Sequence, residues 1–268
     1  MRKIMLPERF LLSETAADLC DPNGFEYIKV DCTDEIIPFY DPHRCSGYVL
    51  CDRDIAALDA DRRFIFVARH GETDWNAAGR MQGREDIPMN ETGERQSFHC
   101  ANRLLSVFNA KGIRVGRVYS SPLKRAVRTA EIMAEVLEIP EILRDDGLIE
   151  RDYARLSGLT PSQRKETFPG KKAEEVDGIE PISSSAGRFA LALGRIADGM
   201  RGANTLIISH GGILNAFVSK WTAGKIGSNL TLTTNCCINV FSQPREGGKI
   251  TLEAFNLTPD TFMNLRRK

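Results

Sequence analysis

Short apolar runs and longer amphipathic stretches alternate along most of the chain. The run Arg63–Ala68 is apolar, partly β-branched and aromatic, and predicts a buried strand. A loop rich in Gly, Asp and Arg covers 79–90. From Glu91 to Ala110 apolar residues recur at helical spacing, with Phe98, Ala101, Leu104, Leu105 and Phe108 on one face, and Lys111-Gly112 marks the end. Val115–Ser120 predicts a second strand. A helix follows to about Leu137, with Ser120 or Ser121 as a cap and Pro122 in its first turn. Ile142-Leu143 is a brief strand, and Pro161–Phe168 is a short helix capped by Thr160. Ser185–Gly199 is a helix with Phe189, Leu193 and Ile196 on its apolar face. Thr205–Ser209 is the clearest strand, and a helix follows it to Trp221. Ile238–Phe241 and Lys249–Phe255 are two closing strands, and Leu265–Lys268 reads as a solvated tail.

Residues 1–62 form an N-terminal extension ahead of a main domain over 63–268. Phe25–Cys32 and Gly47–Cys51 are candidate strands within it, separated by turn signals at Pro38, Asp41, Pro42 and Gly47. Asp52–Asp61 reads as a short helix or a charged linker. The aromatic and β-branched content of the extension points to an ordered segment packed on the main domain. Covering a sheet edge, joining two copies in a homodimer and narrowing a site mouth are the roles open to it.

Length and composition then bound the class. The 268 residues suffice for one large α/β domain or a domain plus an extension. Lys+Arg and Asp+Glu balance at 36 each, so no overall basic field argues for nucleic acid or an anionic membrane. No apolar run approaches the ~18 residues of a spanning helix. Pro7, Glu8 and Arg9 interrupt the first apolar segment, so no secretory signal is expected and the cytoplasm is the expected location. The seven cysteines are odd in number and irregularly spaced, without Cys-x-x-Cys, which argues against a disulfide framework. Cys20, Cys32, Cys45 and Cys51 lack the close pairing of structural zinc motifs and read as small hydrophobes.

Candidate chemistry sits where strands end. The first strand stops at Arg69-His70-Gly71, which delivers a guanidinium and an imidazole to the place where open α/β sheets bind ligands. A planar fork of donors suits phosphate or carboxylate. Arg125 lies in the first turn of its helix, where an anion is already favoured. Arg128, one turn on, reads equally well as a solvated charge or a substrate contact. The strand Thr205–Ser209 delivers His210, then Gly211-Gly212. His43 and His99 fall in a turn-rich loop and within a helix, and read as structural or exposed.

The run Arg69-His70-Gly71-Glu72-Thr73 with Trp75-Asn76 resembles the signature of the histidine phosphatase superfamily, or phosphoglycerate-mutase-like family. The likeness continues through Gly79–Gly83, Asn90–Gly93, Ser121–Thr129, Leu148-Ile149-Glu150 and Ser209–Gly212, and covers roughly residues 64–242. It implies an α/β three-layer sandwich: a mixed, mostly parallel sheet with helices on both faces and the site at the strands' C-terminal ends. It further implies that His70 is the nucleophile and that Arg69, Arg125 and His210 hold the phosphoryl oxygens. Glu150 is the implied general acid and base. Asn76, Arg80, Gln82, Gly83 and Gly211 are the implied substrate contacts. No metal and no cofactor is implied, because cationic side chains supply the charge. Ala154 departs from the family's Gly, which puts the local turn in question.

The likeness leaves the fate of the phosphoryl group open. Glu150-Arg151-x-Tyr153 favours a phosphoglycerate mutase. The short segment between Glu150 and His210, without the mutases' Arg-Arg pair, favours a phosphatase, and weighs more because it governs the access of water. The expected activity is a metal-independent phosphoric monoester hydrolase of the histidine acid phosphatase type, acting on a small phosphorylated substrate. A catalytically inactive binding module of the same fold ranks last, since the nucleophile and its partners are all present.

Overall fold

The computed structural model describes residues 61–264 except 201, 223, 225 and 228–230, together with five two-residue strands among the first 60. Those five are β1 (Phe10–Leu11), β2 (Leu19–Cys20), β3 (Glu26–Tyr27), β4 (Ile37–Pro38) and β5 (Tyr48–Val49). Thus β3 and β5 fall within the two strands expected upstream. The remainder of those stretches, the segment expected over 52–60 and the tail after 264 lie outside the described residues.

The main strands are β6 (Arg62–Arg69), β7 (Val115–Ser120), β8 (Ile142–Arg144), β9 (Asn204–Ser209), β10 (Ile238–Pro244) and β11 (Ile250–Leu257). They lie in one sheet in the order β4-β5-β11-β10-β6-β9-β7-β8, with β1 pairing β11 off this path. The strands β6, β9, β7 and β8 run parallel, and β10 is antiparallel to both β6 and β11. The sheet is therefore mixed and parallel at its centre.

Alternation along β6 explains the layers. Ile65 and Val67 point to one face, where α5 (Ile182–Gly199) and α6 (Gly211–Trp221) supply Phe189, Leu193, Phe217 and Trp221. Phe64, Phe66 and Ala68 point to the other. There α2 (Glu91–Lys111), α3 (Lys124–Val136) and α7 (Pro259–Asn264) supply Leu104, Phe108, Met133 and Phe262. Both faces of β6 are buried, as expected for a central parallel strand that reads as a continuous apolar run. The Phe66 and Phe108 rings meet at 4.8 Å between centroids. Burying each such side chain contributes about 1.5–3 kcal/mol.

A small cap lies between α3 and α5 in the chain. Leu156, Phe168 and Val176 form its own apolar cluster with Met81, Tyr153 and Leu159 against them. Its helix α4 (Pro161–Thr167) starts at a capping box in which Thr160 and Gln163 bond each other's backbone.

Three details correct the sequence reading. Phe98 is 58% exposed, because the buried stripe of α2 runs through Ser97, Cys100, Ala101, Leu104, Val107 and Phe108, one residue to the side. Neither Ser120 nor Ser121 caps α3: its N-cap is Leu123, without a side-chain bond, and Pro122 precedes the helix. Two short helices, α1 (Asp74–Ala77) and α7, were not foreseen. Ala154 sits at φ +44°, so the chain keeps a left-handed turn there without a glycine.

Candidate active site

The register of the sheet assembles the site. Ala68 lies beside Ile208 and Arg69 beside Ser209, so His70 and His210 leave two adjacent parallel strands together. The chain after β6 turns to α2 on one face and the chain after β9 turns to α6 on the other. That divergence opens the crevice in which α/β sheets take ligands. The two imidazole rings stand 5.1 Å apart between centroids, tilted by 59°.

The His70 backbone is fixed on three sides. Its N–H donates to the Ser209 carbonyl (3.0 Å), and its carbonyl accepts from Asn235 Nδ2 (3.0 Å). The next amide, Gly71 N–H, donates to Thr129 Oγ1 (3.0 Å). A Cβ at Gly71 would lie 2.8 Å from Ser97 Oγ and closer still to Met89 and the Gly93 carbonyl, so only glycine lets β6 exit against α2. The His70 ring places Nδ1 2.6 Å from the Gly71 carbonyl oxygen. A carbonyl can only accept, so Nδ1 carries the proton and Nε2 keeps its lone pair. That Nε2 accepts from Arg125 Nε at 3.2 Å.

Arg125 is fully buried. Its Nη1 donates to the Glu85 carbonyl (2.6 Å) and its Nη2 to that of Gly83 (2.8 Å). Burial lowers its pKa to about 10, so it stays charged at neutral pH. Arg69 is anchored through Nη1 to the Thr233 carbonyl, while its buried Nε has no partner among the described residues. Burial lowers its pKa, and the Glu150 carboxylate acts in the opposite sense. His210 Nε2 bonds Ser121 Oγ at 2.7 Å, and its buried Nδ1 has no partner among the described residues. Burial first, then Arg125, holds both imidazoles well below their usual pKa; Arg69 adds to this. Both rings are therefore neutral at pH 7.

Glu150 reaches the site from the loop between β8 and α4. Its Oε1 accepts from the amides of Arg151 and Ile213 (both 2.7 Å), and its Oε2 from Gly212 (2.9 Å). The carboxyl group thus sits on the N-terminus of α6, against amides that have no partner within the helix.

The structure therefore brings Arg69, His70, Arg125, Glu150 and His210 together. Among the expected substrate contacts, Gln82 is buried with Oε1 unpartnered among the described residues, and Gly83 turns at φ +56° to present its carbonyl to Arg125. Gly211 opens α6, and a Cβ there would crowd Thr233 and Arg69. Asn76 closes the capping box of α1 with Thr73 and meets Asn235. Arg80 donates from Nη1 to the Gly158 carbonyl of the cap (2.6 Å). Arg128 pairs with Glu94 and Glu131. Sequence reasoning missed Ser121, Thr129 and Asn235 as supports of the two histidines. Ser121 and Thr129 lie in the Ser121–Thr129 stretch that resembles the family, but the resemblance singled out Arg125 there and Ser121 reads as a cap; Asn235 carries no signal.

Two neighbouring imidazoles, the buried Arg125 and the partly buried Arg69 at the end of a doubly covered sheet define an α/β protein built to hold an anion with several oxygens. Residues 65–258 match the family model described as histidine phosphatase superfamily (branch 1), and the chain belongs to that superfamily. It is 31% identical to the uncharacterized phosphatase PhoE of Bacillus subtilis (strain 168), over 65% of this chain and 86% of that one. It is 35% identical to a metal-independent phosphoserine phosphatase of Arabidopsis thaliana, over 66% and 83%. Phosphoglycerate mutase-like protein 4 of the same plant is 32% identical over 74% and 86%. Among solved structures, a phosphoserine phosphatase of Entamoeba histolytica in complex with 3-phosphoglyceric acid aligns with TM-score 0.58 and 25% identity, over 73% of this chain and 98% of that one. Together the comparisons support a phosphatase of this family. Among the described residues no helix is long and apolar enough to cross a membrane.

Proposed function

We propose that the protein is a metal-independent phosphomonoesterase that acts through a phosphohistidine at His70 on a small phosphorylated metabolite. The observation that carries this reading is the His70 ring, with its proton committed to the Gly71 carbonyl and its Nε2 lone pair facing Arg125. The Nε2 lone pair attacks phosphorus while the ester P–O bond breaks. Arg69, Arg125 and His210 hold the equatorial oxygens, whose charge is what catalysis must stabilise. The Glu150 carboxyl gives its proton to the leaving alkoxide. It then takes one from water, which attacks phosphorus, breaks the P–N bond and releases inorganic phosphate. The guanidinium groups supply the positive charge that a metal would otherwise bring.

Cap geometry supports a single-phosphoryl substrate. Arg84 pairs with Asp152 and Glu180, Arg151 with Glu174 and Arg188 with Glu180, so these cations are already neutralised by carboxylates. The same pairing weighs against the mutase reading, whose best support is Glu150-Arg151-x-Tyr153. Arg151 points its Nε to the Glu180 carbonyl (2.7 Å), within the cap.

Phosphate release from a panel of monoesters, with excess chelator, tests the reading. The panel should include phosphoserine, 3-phosphoglycerate and 2,3-bisphosphoglycerate, with product isomers followed. Release that survives chelation and falls by at least about 10⁴-fold in His70→Ala is expected. Isomerisation outrunning release would move the assignment to a mutase. A preference for inositol polyphosphates would overturn the single-phosphoryl substrate.

A further inference from the structure

The backbone of Glu150 is held by groups that the mechanism above does not use. Residue 150 lies between two 3₁₀ turns, Asp146–Leu148 and Ala154–Leu156, and belongs to no helix or strand. No backbone ladder fixes its position. Side chains do so instead.

Arg188, on α5, directs its guanidinium at this segment. Its Nη1 donates to the carbonyls of Gly147 (3.1 Å) and Ile149 (2.7 Å), and its Nη2 to that of Glu150 (3.3 Å). The remaining donors go to Glu180, from Nη2 to Oε2 (2.9 Å) and from Nε to Oε1 (3.2 Å). All five guanidinium N–H groups are thus used. Glu180 then closes the other side. Its Oε2 accepts from the Asp152 amide (3.1 Å), its N–H donates to the Asp152 carbonyl (2.9 Å) and its carbonyl accepts from Arg151 Nε (2.7 Å). Arg84 adds a second fork, from Nε to the Glu150 carbonyl (3.4 Å) and from Nη2 to Glu180 Oε2 (3.3 Å). Residues 147–152 are bound on their carbonyl side by Arg188 and on both sides of Asp152 by Glu180.

We propose that Arg188 and Glu180 are positioning residues for proton transfer by Glu150: the pair fixes the irregular segment that carries the carboxylate at the leaving-group oxygen. This rests on the reading of Glu150 as the general acid. A bidentate Arg–carboxylate pair is rigid, and a general acid must lie within hydrogen-bond reach of the atom it protonates. A displacement of about 1 Å is enough to matter. Neither residue touches the reacting atoms in this scheme.

The test is a leaving-group series. An alkoxide needs the proton from Glu150 to depart, whereas an acidic phenol does not. Values of kcat/KM are measured for alkyl phosphates and for an aryl phosphate with an acidic phenol. The proteins are wild type, Glu150→Gln, Arg188→Gln, Arg188→Lys and Glu180→Gln. Arg188→Gln is expected to lose about 10–100-fold on alkyl phosphates and less than about threefold on the aryl phosphate. Arg188→Lys, which keeps the charge without the fork, should behave likewise. In a further variant, Arg188→Ala, added ethylguanidinium should restore part of the alkyl phosphatase activity. Glu150→Gln should show the same selective loss, larger in size. A loss in Arg188→Gln that is equal across leaving groups, or none, beside a selective loss in Glu150→Gln overturns the inference alone. A Glu150→Gln variant with no leaving-group selectivity overturns the reading of Glu150 itself. Circular dichroism and a cooperative thermal transition report that each variant is folded. If Arg188→Gln fails to fold, Glu180→Gln decides by the same criterion.

Discussion

Burial and two guanidinium groups keep His70 and His210 neutral, and that has a consequence for stability. The unfolded chain protonates these rings as pH falls through about 6.5, while the folded protein resists until well below it. Unfolding in that range binds protons, so stability rises with pH there and is lost as pH falls below about 6.5. His210→Gln removes one such group. It should lessen the stability gap between about pH 7 and pH 5 by up to about 1 kcal/mol per pH unit below 6.5, measured by urea unfolding. An unchanged gap would mean that His210 titrates normally in the fold. Ala154 bears on stability differently, through a left-handed backbone at φ +44°. Ala154→Gly should stabilise the fold by about 0.5–1 kcal/mol by relieving that strain, less the extra entropy of a glycine. A lower melting temperature would show the strain to be absent. At this scale the sequence was most legible where a residue follows a strand directly, as His70 and His210 do. It was least legible where a partner comes from elsewhere in the fold. Ser121 meets His210 because β7 runs beside β9, with Ser120 opposite Ile208, and no local pattern announces that register.

Among the elements, α6 does the most for the chemistry. Its first amides, Gly212 and Ile213, grip the Glu150 carboxylate from 62 and 63 residues away in the chain. A Cβ at Gly212 would run into the Tyr153 hydroxyl and lie 2.8 Å from Glu150 Oε1. Alanine suits a helix, so Gly212→Ala should leave the secondary structure intact. It should cost about 10–100-fold in kcat/KM by displacing Glu150. Full activity in Gly212→Ala would break the link between this helix and the acid/base role. The elements themselves were largely readable. Strands β6 and β9 are continuous apolar runs because they are buried on both faces, and α2 shows its period over 21 residues. The misreadings have local causes. Phe98 sits one residue off the buried stripe, and α1 and α7, of 4 and 6 residues, are too short for a period to register.

For the whole molecule, the parallel centre of the sheet turns sequence into site. Helices on opposite faces pull the chain apart after β6 and β9, and the crevice between them holds both imidazoles, Arg125 and the α6 terminus. Its positive charge is local, since the chain as a whole balances 36 cationic against 36 acidic residues. Overall charge therefore said little about the ligand, whereas the partly buried Arg69 and the buried Arg125 say more. The cap was legible only as a polar, turn-rich stretch. Its ion pairs, Arg84–Glu180 and Arg188–Glu180, join residues 96 and 8 positions apart, and only folding brings the three together.

The central claim is a phosphoryl group carried on His70. Its most direct test is rapid quenching of Glu150→Gln with a radiolabelled aryl phosphate, followed by peptide mapping. An acidic phenol leaves without a proton from residue 150, so the first transfer proceeds, but hydrolysis lacks its base and the intermediate should accumulate. The account predicts one phosphoryl group, stable to base and labile to acid, on the peptide carrying His70, and none when His70→Ala is added. Label on another residue, or turnover by the wild type with no such adduct in either protein, would contradict it.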